Sequence, residues 1–177
     1  LLLVGDLGAD EARRVAEQTA SSTQDFLRSL GLEATIGFAD NDTLPRIAQL
    51  LAKTNQFNLT TRRHTATEVQ AIIDAGAIAL WMRLRDRFGD HGLIGFALAT
   101  ASGPVNWTVD SFLLSCRAIG RSAESVLLAR LCEEVSRRGG CEITGEFLST
   151  ARNSVAADFY EHHGFVPEGE NRWRLEL

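Results

Sequence analysis

The sequence predicts an α/β protein built on one mixed sheet with helices on its faces. Three observations carry that expectation. From about residue 56, short β-rich runs and amphipathic stretches follow one another in the order β-α-β-β-β-α-β-α-β. The runs "WTVDSFLLSC" and "CEITGEFL" are separated by a loop and a helix-length segment, the spacing of a parallel crossover. The 177 residues are 45% hydrophobic and 23% charged, without repeats or low-complexity tracts, which is enough for one sizeable core.

The elements follow in order. Residues 9–30 contain no proline or glycine and read as a helix that can break near "SST", with Gly31 as its stop. "LEATIGFA" alternates as a short strand. "NDTLPRIAQLLAKTNQF" is a helix with Asp42 as cap and Leu44, Ile47, Leu50 and Leu51 on one face. These pieces make residues 1–55 an N-terminal α/β extension packed on a main domain, residues 56–177.

In that domain "FNLTTRRH" reads as a strand, and Thr65 with Glu68 forms a capping box for a helix running to about Asp74. "AIALWMRLRD" and "GLIGFALAT" flank the turn "RFGDHG", and "WTVDSFLLSC" follows "ASGPVN". The next helix buries Leu127, Leu128, Leu131, Cys132 and Val135 and ends at "RRGG". "CEITGEFL" is a fifth strand, "NSVAADFYEHHG" a short helix and "RWRLEL" a last strand.

Bulk properties exclude several function classes. The net charge of -5 gives no reason to expect a nucleic-acid partner. Of 18 basic residues only Lys53 is a lysine. Cys116, Cys132 and Cys141 are unpatterned, as in a reduced cytoplasmic protein, and Cys116 is expected to be buried and inert rather than a nucleophile. "LLLVGDLG" is too short and lacks the basic start of a signal peptide, and nothing approaches a membrane span. The absence of an initial methionine is what an excised fragment would show.

The stretch "CRAIGRSAESVLLARL" turns from strand to helix through Gly120, which tolerates tight-turn dihedrals, and Ser122, a good N-cap. The amides from about Arg121 to Ser125 then sit at the positive end of a helix, where phosphate oxygens are stabilised, with Arg117 and Arg121 at hand. Downstream, Asn153, Ala156, Phe159, Tyr160, Gly164 and Phe165 are spaced N-x-x-A-x-x-F-Y-x-x-x-G-F. Together these motifs resemble the GNAT acyltransferase superfamily over about residues 56–177. The resemblance implies that Leu114, Cys116, Arg117, Ile119, Gly120, Arg121, Ser122 and Ala123 bind the pantetheine and pyrophosphate of coenzyme A. It implies that Asn153 faces the cofactor arm and that Tyr160 protonates the departing thiolate. Ser122 departs from the family's small glycine or alanine, which puts affinity for free coenzyme A in question.

Further upstream, "RIAQLLAKTNQFNLTTRRHT", "RDRFGDHGLIG" and "DSFLLSCRAIGRSAE" are similar to the C-terminal, GNAT-like portion of the FkbH-like proteins of polyketide pathways. That family implies an acyl carrier protein as partner, a phosphopantetheine thioester in place of coenzyme A, and a haloacid-dehalogenase (HAD) domain for the phosphate chemistry. Asp40-Asn41-Asp42 comes close to the HAD nucleophile pattern, but Leu44 stands where threonine or valine belongs, so no metal site is expected. The general-base candidates are Glu146 on the fifth strand and Asp110 on the fourth. His162 and His163 are expected at the surface, and the pairs Arg62-Arg63 and Arg137-Arg138 in solvent, the first available to guide an acidic partner.

Two functions fit. One is an acyltransferase moving an acyl group from coenzyme A or a carrier protein to a small-molecule acceptor. The other is a non-catalytic module that docks the carrier's arm for a HAD-type glyceryl transferase.

Overall fold

In the computed structural model the described residues are 8, 11–15, 18 and 22–177. Their elements are α1 (Thr23–Leu30), β1 (Glu33–Phe38), α2 (Leu44–Lys53), β2 (Phe57–Asn58), α3 (Ala66–Asp74), β3 (Ile78–Asp86), β4 (Gly89–Ala101) and β5 (Asn106–Leu114), then α4 (Ala123–Arg137), β6 (Glu142–Glu146), α5 (Phe159–His162), β7 (Val166–Pro167) and β8 (Arg172–Glu176). Short 3₁₀ turns at Cys116–Ala118 and Ser154–Ala156 precede α4 and α5. The strands form one mixed sheet in the order β1-β3-β4-β5-β6-β8-β7, with β2 added beside β5. The expected α/β class and mixed sheet are what the chain adopts. No described helix is long and apolar enough to cross a membrane.

Two apolar layers cover the sheet. On one face α2 and α3 bury Ile47, Leu51 and Val69 against Phe96, Leu98 and Leu113. On the other, α4 and α5 bury Leu127, Leu131, Val135 and Tyr160 against Met82, Ile94, Phe112 and Ile143. Successive residues along a strand point to opposite faces, so the neighbours Phe112 and Leu113 serve different cores. Cys132, expected in the buried stripe, is only half-buried, yet burial pushes its thiol up to about 11.

The boundary expected after residue 55 does not coincide with a break in the sheet. β1 pairs antiparallel with β3 from Glu33↔Arg85 to Phe38↔Leu80, and α2 supplies a full core face. Most of the helix expected before Ser22 lies outside the described residues. Residues 11–15 are helical, and Gly31, at φ 59°, ends α1 as expected.

The capping box on α3 is present, with Thr65 Oγ1 accepting from the Glu68 amide at 3.3 Å and Glu68 Oε2 accepting from the Thr65 amide at 2.7 Å. Asp42 does not cap α2. Asp40 takes that role, its Oδ1 accepting from the Thr43 amide and hydroxyl at 2.9 and 2.7 Å. The β7 strand, two residues long, went unread because so short a run carries no periodicity.

Candidate functional site

β5 and β6 are the only parallel pair among the described residues, and they touch only at their starts: Asn106↔Glu142, Trp107↔Ile143 and Thr108↔Thr144. The Thr108 and Thr144 hydroxyls, 3.1 Å apart, mark the apex. Beyond it β5 continues to Leu114 while β6 diverges, opening a wedge whose β5 wall is left without β6 as its partner. Parallel pairing is what the crossover spacing predicts, and an extended thioester arm could hydrogen-bond along such a wall.

The chain itself fills this wedge. β2 pairs antiparallel with β5, Phe57↔Leu114 and Asn58↔Leu113, on the flank away from β4. The Leu59 amide donates to the Phe112 carbonyl at 3.1 Å, and the Thr60 hydroxyl to the Asp110 carbonyl at 2.8 Å. From the β6 side, the Leu148 amide donates to the Leu59 carbonyl at 2.8 Å. Phe57 packs edge-on against Phe159 at 5.6 Å, and Leu59 is fully buried. The segment expected to be a strand over 57–64 is thus a two-residue strand followed by a buried plug. Asn58 organises its exit, its Oδ1 accepting from the Thr61 amide at 2.9 Å while Thr61 takes the left-handed conformation, φ 54°.

Arg62 closes the mouth. Its guanidinium bonds the Asp110 carboxylate at 3.3 Å and the Glu146 carboxylate at 3.0 Å, and also donates to the Asp110 carbonyl at 2.8 Å. His64 Nε2 lies 2.7 Å from the other Asp110 oxygen. The two expected general bases therefore do converge on one place, but as the partners of Arg62. Arg63 is exposed as expected, while its guanidinium donates to the carbonyls of Leu51 and Thr54 and to Asn55 Oδ1.

Asn153 is fully buried, and its amide meets four partners. Nδ2 donates to the carbonyls of Asn58 and Leu148, both at 2.9 Å, and Oδ1 accepts from the Thr150 amide and hydroxyl at 2.7 and 3.0 Å. It holds the plug where the sequence places it beside a cofactor arm.

Tyr160 is 1% exposed, stacked on Trp173 and packed between Phe159 and Phe165. Its ring lies against Gly145, where an added Cβ would stand 2.3 Å from the hydroxyl. That hydroxyl sits near the Glu146 backbone without a properly formed hydrogen bond, and burial first, then the Glu146 charge, push the phenol's pKa up. Tyr160→Phe is therefore expected to leave the unfolding free energy unchanged or raised by up to about 1 kcal/mol, because it removes an unsatisfied buried group. Urea unfolding checks this, and a loss above about 1 kcal/mol would reveal a hydrogen bond to that hydroxyl.

The 116–123 loop is built as a turn, with Gly120 at φ 77° and Ser122 at φ 58°. Ser122 stands at the N-cap of α4 but makes no side-chain cap, contrary to expectation. Leu114 and Ala123 are buried and Ile119 is half-buried on the core. Cys116, expected to be buried, is exposed, as are Arg117 and Gly120.

Arg121 turns instead to Asp86, at 3.3 Å, in a buried hub where that carboxylate also meets His91 at 2.9 Å, Arg13 at 3.2 Å and the amides of Phe88 and Gly89. Burial works to raise the Asp86 pKa, but the bonds from His91, Arg13 and Phe88 and the Arg13 charge outweigh it and hold the group at about 2. Asp86 escaped the sequence reading because a hairpin-turn aspartate carries no distinctive signal.

His163, expected at the surface, is wired inward between the Phe159 carbonyl and Ser125 Oγ at 2.7 and 2.8 Å, whereas His162 is exposed. Arg138 donates to the Gly76 carbonyl at 2.8 Å, and Arg137 pairs with Glu134 at 3.0 Å.

No family model matches the chain. No curated protein matches it either. Solved structures do. One described as a GNAT-family acetyltransferase from Desulfovibrio desulfuricans superposes with a TM-score of 0.61 at 17% identity, covering 82% of this chain and 99% of its own. The ribosomal-protein-S18-alanine N-acetyltransferase of Escherichia coli gives 0.60 at 15% identity, covering 82% and 94%. The YncA acetyltransferase of Salmonella typhimurium, solved with its cofactor acetyl-CoA, gives 0.58 at 18%, also covering 82% and 94%. The chain thus has the fold of GNAT acetyltransferases.

Proposed function

We propose that this chain is a GNAT-fold docking module for an acyl carrier protein, acting in the cytoplasm beside a HAD-type glyceryl transferase of specialised-metabolite, polyketide-type biosynthesis. One observation carries the non-catalytic part of this reading: residues 57–62 occupy the β5–β6 wedge and use the backbone groups that a thioester arm would need. Withdrawing Phe57 and Leu59 alone gives up about 1.5–3 kcal/mol of apolar burial each. An open wedge then has a population below about 1%, and the apparent affinity of any arm entering it falls by the same factor. Asp110 and Glu146 are engaged by Arg62 and Tyr160 is enclosed, so the groups for acid–base work are already committed. The choice of partner rests on the resemblance of three sequence motifs to those of carrier-loading proteins.

A second reading, acyl transfer from coenzyme A or the carrier's phosphopantetheine to a small acceptor, is favoured by the parallel, diverging strands themselves. It requires the plug to withdraw.

Titration calorimetry with a carrier protein at low salt, alongside a turnover assay with acyl-coenzyme A, separates the two. Docking predicts saturable binding that weakens once the Debye length falls to about 10 Å at 0.1 M salt, with no acyl transfer. Absence of carrier binding overturns the docking reading, and turnover of acyl-coenzyme A establishes the second.

A further inference from the structure

The wedge is not the molecule's open concavity. On the α2 side of the sheet, where the C-terminal half of α2 meets the start of β4 and the end of β5, lies a pocket of about 390 Å³. That volume is within the range of small-molecule sites. Arg46 and Lys53 reach it from α2, seven residues apart and so on one helical face, and Arg117 reaches it from the 3₁₀ turn after β5. None of the three makes an ion pair among the described residues. The Arg46 guanidinium donates to Gln49 Oε1 at 3.0 Å, a neutral partner.

Among the described residues no carboxylate lines the pocket, although the chain carries 23 acidic residues and a net charge of -5. Uncompensated cations brought together by two elements, with no acid between them, raise the local potential and favour an anion.

The rest of the lining narrows the ligand. Leu50, Leu93 and Ile94 make an apolar floor, while Asn55, Gln56 and Ser115 offer neutral polar groups. His91 forms one wall. Its Nε2 is held by the buried Asp86 at 2.9 Å, so the ring is fixed in place, and Nδ1 makes no hydrogen bond among the described residues. Arg121 is occupied at that same aspartate. The two arginines of the 117–122 loop are therefore divided, one structural and one facing this pocket.

The geometry points to a binding site for a phosphate ester, held by Arg46, Lys53 and Arg117 at its charged end and by the Leu50–Leu93–Ile94 floor along a short aliphatic portion. Guanidinium and ammonium groups together match a tetrahedral oxyanion through charge-assisted bonds. The same chemistry is offered by a free small phosphate ester and by the phosphate at the root of a pantetheine arm. The assignment goes beyond carrier docking and does not depend on it, because small ligands test it directly.

The experiment titrates the intact chain with pyrophosphate, 4′-phosphopantetheine and unphosphorylated pantetheine, by calorimetry at low salt. Both phosphorylated probes should bind saturably below about 1 mM and pantetheine should not, since the charged bonds supply the affinity. Tighter binding of phosphopantetheine than of pyrophosphate identifies an arm, and equal binding identifies a free phosphate ester.

Lys53→Ala and Arg117→Ala, both at exposed positions, should each weaken binding about tenfold with the melting temperature unchanged. In the wild type, bound ligand should slow alkylation of Cys116, which lines the pocket, and leave the exposed Cys141 reacting at its free rate. Failure of both phosphorylated probes to bind, affinity unchanged in both variants, or no protection of Cys116 overturns the assignment.

Discussion

Asp86→Ala is expected to cost the fold about 3–5 kcal/mol, the usual penalty for breaking a buried ion pair by removing one partner. The carboxylate has no solvent exposure and neutralises Arg13 and Arg121, which are themselves largely buried. Removing it leaves two desolvated guanidinium groups, an imidazole and the amides of Phe88 and Gly89 without their common acceptor. The consequences extend beyond the β3–β4 turn. Through Arg13 the hub holds the segment before α1, and through Arg121 it holds the loop that carries Arg117.

The loss depends on pH in a predictable direction. Asp86 titrates at about 2 when folded, against 3.8 for the unperturbed group. Its contribution is therefore complete above about pH 4 and disappears as pH falls through 2, and the shift amounts to about 2 kcal/mol. The stability difference between wild type and Asp86→Ala, measured by chemical denaturation, should narrow by about that amount between pH 5 and pH 2. A difference that stays flat with pH would show that the alanine acts by lost packing alone.

Much of the fold is legible locally. The Thr65–Glu68 box, the glycine-bearing hairpin and the strand–helix–strand order around α4 are short-range signals, and each places its element correctly. The parallel pairing of β5 and β6 follows from the same order.

The contents of the wedge are not legible in the same way. Phe57–Asn58 meets β5 more than fifty residues later, and Arg62 meets Asp110 and Glu146 at separations of 48 and 84 residues. The eight-residue run "FNLTTRRH" reads simply as a strand, because nothing within it specifies the cleft it enters.

Motif positions also carry structural work that spacing alone does not reveal. Asn153 and Tyr160 stand at motif positions, but one holds the plug and the other fills the space above Gly145. That glycine was the available clue, since a glycine inside a strand often marks the close approach of another group. Asp40 rather than Asp42 caps α2 because its side chain reaches forward three residues to Thr43, a choice decided by backbone direction rather than residue type.

Asn153→Asp is expected to destabilise the fold by about 2–4 kcal/mol at neutral pH and to loosen residues 57–61 first. The substitution keeps shape and volume, so the cost is electrostatic. The nitrogen that donates to the Asn58 and Leu148 carbonyls becomes an oxygen facing two oxygens at 2.9 Å, and the group is charged in a site with no exposure. The Thr150 amide and hydroxyl stabilise only the opposite oxygen. Asn153→Ala removes the repulsion and still leaves both carbonyls and the Thr150 amide unsatisfied, at about 1–3 kcal/mol for each buried group that water cannot reach.

Lowering the pH should partly rescue the aspartate variant, because a protonated carboxyl can donate once more to one of the two carbonyls. The alanine variant should gain nothing from the same change. Hydrogen exchange followed by peptide mass spectrometry gives the spatial readout. Amides of 57–61 should exchange faster in both variants while those of β3 and β4 keep their protection, since the plug is tied to the sheet by a few bonds and the central hairpin by continuous ladders. Equal acceleration across the whole sheet would mean that Asn153 supports the fold at large, and the wedge would then have no separable plug.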